Sequence, residues 1–146
     1  MELHSTSFDD GGEIAQRYGK KADNISPQLS WSGAPADSAS FVLTMIDLHP
    51  VARGYVHWVV TGIPAEVTEL AENAAAIGLP EGATEARAYA GPFPPSGTHE
   101  YEFRLYAVGQ AADVPAKAPL DSIMAALTPH VLARAKLVGM FTKEKG

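Results

Sequence analysis

The sequence predicts a mainly β domain, an antiparallel β-sandwich with one or two short helices near its C-terminus. Three observations lead there. Thirteen Gly and eleven Pro residues fall between short apolar runs, which is the punctuation of many turns. Two of those runs are apolar on both faces, as central strands are. A third alternates with period two, as a half-buried strand does.

Ser40 to Asp47 is the first doubly apolar run, with Phe41, Val42, Leu43, Met45 and Ile46 leaving little room for a wet face. Tyr55 to Ile63 is the second, carrying Val56, Trp58, Val59 and Val60. From His99 to Val108, Glu100, Glu102 and Arg104 alternate with Tyr101, Phe103 and Leu105. His99 and Tyr101 therefore start the inward face of that strand. The C-terminal part changes character. Asp121 stands as an N-cap before Ser122–Leu127, and Thr128-Pro129 is a second cap with proline at the first helical position. A second short helix is expected over His130 to Val138, stopped by Gly139, with Met140-Phe141 adding a last strand.

The 146 residues fit one domain, 1–146, and 46% hydrophobic content suffices for a core. The formal net charge is −6 and the 11 Lys and Arg residues are scattered, so nucleic acid is excluded as a partner. Any bound anion must be small and gripped locally. The absence of cysteine rules out disulfides, thiolate metal sites and cysteine nucleophiles. No apolar run approaches the roughly 18–20 residues that span a bilayer, and Met1 to Asp10 lacks the apolar core of a signal peptide. A cytoplasmic location is the expectation.

Each of the three strands brings a polar group to the end of an apolar row. Phe41, Leu43, Met45 and Asp47 share one face, Tyr55, His57, Val59 and Thr61 another, and His99 and Tyr101 a third. If these strands are neighbours, the groups converge at one end of the sheet, where pockets form. The ordinary roles of the same residues are a turn aspartate, a satisfied core histidine and a stiff connecting loop at Gly91-Pro92-Phe93-Pro94-Pro95-Ser96-Gly97. A proline-rich loop nevertheless makes a pre-shaped rim.

Taken in order, several motifs resemble the phosphatidylethanolamine-binding protein (PEBP) family, which includes the Raf kinase inhibitor protein and bacterial relatives. They are Phe8-Asp9-Asp10-Gly11-Gly12, Asn24-Ile25-Ser26-Pro27-Gln28-Leu29-Ser30-Trp31-Ser32-Gly33-Ala34-Pro35, Val56-His57-Trp58-Val59-Val60 and Gly91-Pro92-Phe93-Pro94-Pro95-Ser96-Gly97-Thr98-His99-Glu100-Tyr101. Leu105-Tyr106-Ala107, His130-Val131-Leu132-Ala133 and Leu137-Val138-Gly139 complete the match along nearly the whole chain. The resemblance implies a PEBP-like β-sandwich with a small anion pocket that takes phosphate, acetate or a phosphoryl head group. It implies ligand-binding roles for Asp47, His57, Gly91, Pro92, His99 and Tyr101, with no cofactor and no catalytic residue. It also implies a regulatory protein that inhibits a kinase or protease, and a homodimer as in bacterial relatives. Departures from the family pattern surround the pocket: His49 stands for the second acid, Phe93 for the loop cysteine and Glu100 for an arginine.

Two rival chemistries are open to the same residues. Asp47, His49, His57 and His99 include the ligand types of a two-histidine, one-carboxylate metal centre. Ser96 with His99 and Asp47 would make a weak hydrolase, although Pro95-Ser96-Gly97 is not a nucleophile elbow.

Overall fold

The computed structural model describes residues 1–143. In chain order its strands are β1 (Glu2–His4), β2 (Gly12–Glu13), β3 (Leu29–Ser32), β4 (Ser40–Asp47), β5 (Val56–Pro64) and β6 (Glu69–Leu70). The one-turn helix α1 (Ala74–Ile77) precedes β7 (Thr84–Arg87) and β8 (Thr98–Val108), and α2 (Leu120–Leu127) precedes β9 (Val131–Thr142). Two sheets result, a small one in the order β1-β3-β6 and a large one in the order β2-β9-β8-β4-β5-β7. Pairing is antiparallel throughout except where the two-residue β2 joins β9 in parallel, so the antiparallel β-sandwich expected from the sequence is the fold found.

The continuous apolar run of β4 has a direct cause. It lies between β5 and β8, and both faces of the large sheet are covered. Phe41, Leu43, Met45, Phe103 and Leu105 pack with Leu29, Trp31 and Leu70 of the small sheet. On the other face Val42, Val56, Val59 and Tyr106 pack under Ile123 and Leu127 of α2. Full burial of each large apolar side chain contributes about 1.5–3 kcal/mol, so the interior of β4 is apolar apart from the small, fully buried Thr44, and its first charged residue is its last, Asp47.

One irregularity positions the site. β4 steps from Met45 to Ile46 while its partner β5 steps from Trp58 to Val56. His57 is the extra residue, a β-bulge, and bulges re-aim side chains. Simple alternation had put Tyr55, His57, Val59 and Thr61 on one face. Instead, Trp58 and Val60 join the core between the sheets while Val56 and Val59 face α2. His57 turns toward the end of the inter-sheet core, beside Tyr101.

The C-terminal expectations need correction. Val131 to Val138 is strand rather than helix, and His130 only ends the preceding 3-10 turn; β9 pairs with β8 from Thr98↔Thr142 to Val108↔Val131. Alanine, arginine, lysine and leucine favour helix locally, but the partner edge of β8 supplies a ladder hydrogen-bond partner along the whole segment. Gly139 is accordingly not a helix stop but a buried mid-strand residue. Asp121 lies in the first turn of α2, whose cap position is Pro119, and its carboxylate still meets the positive end of the helix. Thr128 is likewise no N-cap: it opens the 3-10 turn Thr128–His130 and donates from Oγ1 to Met124 O at 2.7 Å.

Gly139 provides a test of this corrected packing. A Cβ there would lie 2.5 Å from Ile14 Cδ1 and 2.8 Å from Phe8 Cε2. Gly139→Ala is expected to cost about 1–3 kcal/mol through overpacking, read as a lower urea midpoint; an unchanged midpoint would contradict the packing of β9 against Phe8 and Ile14.

Candidate functional site

The residues singled out from the sequence come together at one end of the large sheet. Asp47 of β4 stands opposite Tyr101 of β8, and Tyr101 is two residues from His99. His57 and Tyr101 have ring centroids 5.2 Å apart in an edge-to-face arrangement. All four side chains are buried: Asp47 is 4% exposed, His57 and His99 2%, and Tyr101 0%. They line a cavity of about 270 Å³ with Phe93, Pro94 and Pro95 of the loop.

Asp47 is the electrostatic hub. Its Oδ2 accepts from His99 Nδ1 at 2.7 Å, and its Oδ1 accepts from the backbone N–H of His49 at 2.8 Å. The second bond closes an Asx-type turn leading into the 3-10 turn Pro50–Ala52. A buried carboxylate costs several kcal/mol unless its lone pairs are met; here both oxygens are. Since a carboxylate oxygen can only accept, Nδ1 of His99 carries a hydrogen. Once protonated at Nε2 as well, His99 has Asp47 as its counterion.

His57 is held differently. Its Nδ1 lies 2.6 Å from Ala90 O, and a carbonyl can only accept, so Nδ1–H donates and Nε2 is left for the pocket. Its own carbonyl accepts from Ala90 N at 2.9 Å, so the two residues clamp each other. Burial lowers the pKa of His57 below its ordinary value, outweighing the opposite pull of the Ala90 bond and the Asp47 charge. The imidazole is therefore neutral, with a lone pair on Nε2. Burial first, and the Asp47 charge second, push the Tyr101 phenol well above its usual value. It remains a hydroxyl donor, and among the described residues that hydroxyl has no hydrogen-bond partner.

Gly91 and Pro92 sit behind the pocket rather than in its lining. Gly91 N–H donates to Asn24 Oδ1 at 2.7 Å, Lys20 N–H donates to Pro92 O at 3.1 Å, and a Cβ on Gly91 would meet Tyr18 O at 2.1 Å. Only glycine fits, and the two residues fasten the loop that presents Phe93, Pro94 and Pro95.

Sequence reasoning missed part of the rim. Val51, Ala52 and Tyr55 also line the cavity. Val51 is 62% exposed, Tyr55 42% and neighbouring Leu48 38%. An apolar cluster in a turn next to the Asp47 strand end was the available signal. His49 lies flat on His99, with centroids 4.0 Å apart and planes 10° apart. Stacked rings present parallel edges, not converging lone pairs, and Nδ1 of His49 accepts from Val51 N at 3.1 Å. Among the described residues no three such groups form a metal-ligand cluster, so the residues do not fit the metal alternative. Ser96 is exposed, lies outside the cavity lining and, among the described residues, makes no hydrogen bond with His99, which removes the geometric basis of the hydrolase.

The His57 environment carries a pH dependence. Its folded pKa lies below the unfolded value of about 6.5, so below that pH the unfolded chain takes up a proton that the folded chain refuses. Stability is then lost as pH falls from about 6.5 toward the folded pKa, by at most about 1.4 kcal/mol per pH unit from this residue. Urea titrations at pH 7.5, 6.5 and 5.5 should show that loss, and His57→Gln should flatten it; equal slopes in both proteins would refute the assignment.

Comparison with known proteins places the fold and the sequence in one family. The family model described as phosphatidylethanolamine-binding protein matches residues 4–142. A UPF0098 protein of Methanothermobacter thermautotrophicus is 38% identical over 98% of this chain and 99% of its own length. A Mycobacterium tuberculosis protein named as a lipoprotein, LppC, is 34% identical over 97% of this chain and 72% of its own. Among solved structures, Escherichia coli YbcL, described as a member of the mammalian PEBP family, superposes with a TM-score of 0.89 at 27% identity, covering 98% of each chain. Sequence motifs, fold and family match thus converge, and the chain belongs to the phosphatidylethanolamine-binding protein family.

Proposed function

We propose that this protein binds a small anion or phosphorylated head group in the pocket between His57 and His99, as a binding or regulatory protein rather than an enzyme. The observation that carries this reading is the Tyr101 hydroxyl, which is buried, protonated and, among the described residues, without a hydrogen-bond partner beside the Asp47–His99 pair. An unmet buried donor costs about 1–3 kcal/mol, a cost that an oxyanion accepting from it would relieve. In its imidazolium form His99 would add a charge-assisted donor, with Asp47 as its counterion. Neutral His57 offers Nε2 as an acceptor, suited to the P–OH of a monoprotonated phosphate or to the ammonium of a zwitterionic head group. Two or three such bonds, after the cost of association, support affinities of order millimolar to micromolar.

The apolar rim of Leu48, Val51 and Tyr55 supports a second role for the same mouth, contact with a protein such as a kinase or protease, or with a second copy of this chain. Light scattering distinguishes the last case: a homodimer that Val51→Glu converts to a monomer supports self-association at the rim, and a wild-type monomer at high micromolar concentration overturns it. Residence in the cytoplasm belongs to the same proposal, the mycobacterial relative LppC being one whose name points to a lipid anchor instead.

Tyr101→Phe tests the pocket cleanly. The substitution removes a hydroxyl that makes no hydrogen bond among the described residues, so the urea midpoint should hold or rise, while the Kd for inorganic phosphate should rise about tenfold. His99→Gln should weaken phosphate more. NMR titration of the His57 and His99 ring protons reads both; unchanged affinity in both variants would overturn the assignment.

A further inference from the structure

On the far side of Tyr55 lies a second cavity, about 330 Å³ in volume, that shares Ala52 and Tyr55 with the first. Its wall carries Arg53, Arg87, Leu120 and Asp121. Neither arginine has a carboxylate within salt-bridge distance among the described residues, whereas Arg17 pairs with Glu72 and Arg104 with Glu102. In a chain of net charge −6, two arginines unpaired in one cavity are conspicuous. Arg87 spends one N–H on Lys117 O at 3.0 Å, but its buried Nε–H has no partner among the described residues. Arg53 is held in the left-handed conformation at φ +51°, followed by Gly54 at φ +74°, a backbone that a side chain with a Cβ adopts reluctantly.

We propose that this cavity is a second anion subsite, and that the ligand carries two anionic groups, one between His57 and His99 and the other at Arg87 and Arg53. The inference rests on the first pocket being an anion site. The Tyr55 ring lies 4.8 Å from the His57 ring and 5.9 Å from Arg87 Cζ, so a few bonds passing its face connect the two positions. The apolar edge supplied by Tyr55 and Ala52 suits a short carbon linker. A guanidinium with a free, fixed N–H matches a phosphate or carboxylate oxygen better than an ammonium would. Asp121, the one acid of the lining, is exposed at the start of α2 and leaves the cavity with an excess of positive charge. The ligand class is thus a short-chain bisphosphate or phospho-carboxylate rather than a bare anion.

A series of linear alkanediol bisphosphates, from ethanediol to hexanediol, titrated beside the corresponding monophosphates tests this. One chain length should bind at least tenfold tighter than its monophosphate and shift the Arg87 Nε–H resonance. Arg87→Gln should abolish that gain without changing the monophosphate Kd, while Arg87→Lys, which keeps the charge, should retain part of it, so that loss of charge is separated from loss of fold. Arg53→Gln should reduce the gain. No gain at any length, or a gain that survives Arg87→Gln, overturns the subsite. A monophosphate that fails to move the His57 and His99 resonances overturns instead the pocket on which it rests.

Discussion

The buried carboxylate of Asp47 is the constraint on which this end of the molecule depends. Its cost in the interior is offset only by donors held in fixed places, and those donors come from two directions. The backbone of His49 closes the turn after β4, and the His99 ring reaches across from β8. Asp47 N–H also donates to Tyr55 O, so one residue ties together the end of β4, the approach to β5 and the beginning of β8. The flat stack of His49 on His99 follows from the same turn. Were Asp47 not doubly satisfied, the pocket floor, the rim turn and the orientation of His99 would lose their common anchor.

Much of this was legible in the chain. β4 has the bounds that its apolar run marks, because a strand covered on both faces admits no charged residue before its end. The alternation after His99 correctly turned His99 and Tyr101 inward. Glu102 departs from it: expected on the wet face, it is nearly buried beside Arg104 and Lys136. Asp47 is the turn residue that its place at a strand end suggests, through Oδ1, and its Oδ2 meets His99 besides.

What stayed hidden was non-local. Residues 131–142 carry helix formers, and only the long ladder offered by β8 decides for strand. The bulge at His57 leaves no composition mark, because it is a property of two strands read against each other. Gly91 and Pro92 were visible as a motif, but their work lies behind the loop, where they meet Tyr18, Lys20 and Asn24, some 70 positions earlier in the chain. Arg87 drew no attention, since an arginine on a short edge strand is ordinary until its neighbours are known.

The bulge has a consequence for how such a pocket is inherited. Deleting the single residue His57 would let β5 run straight from Val56 to Trp58 opposite Ile46 and Met45, with the hydrophobic layers on either side undisturbed. The fold and the pocket are therefore separable at one codon: a descendant could keep both hydrophobic layers and lose the ring that faces Tyr101. Overall structural similarity alone is for that reason a poor guide to whether a member of this family keeps this pocket; the spacing between Val56 and Trp58 is a better one.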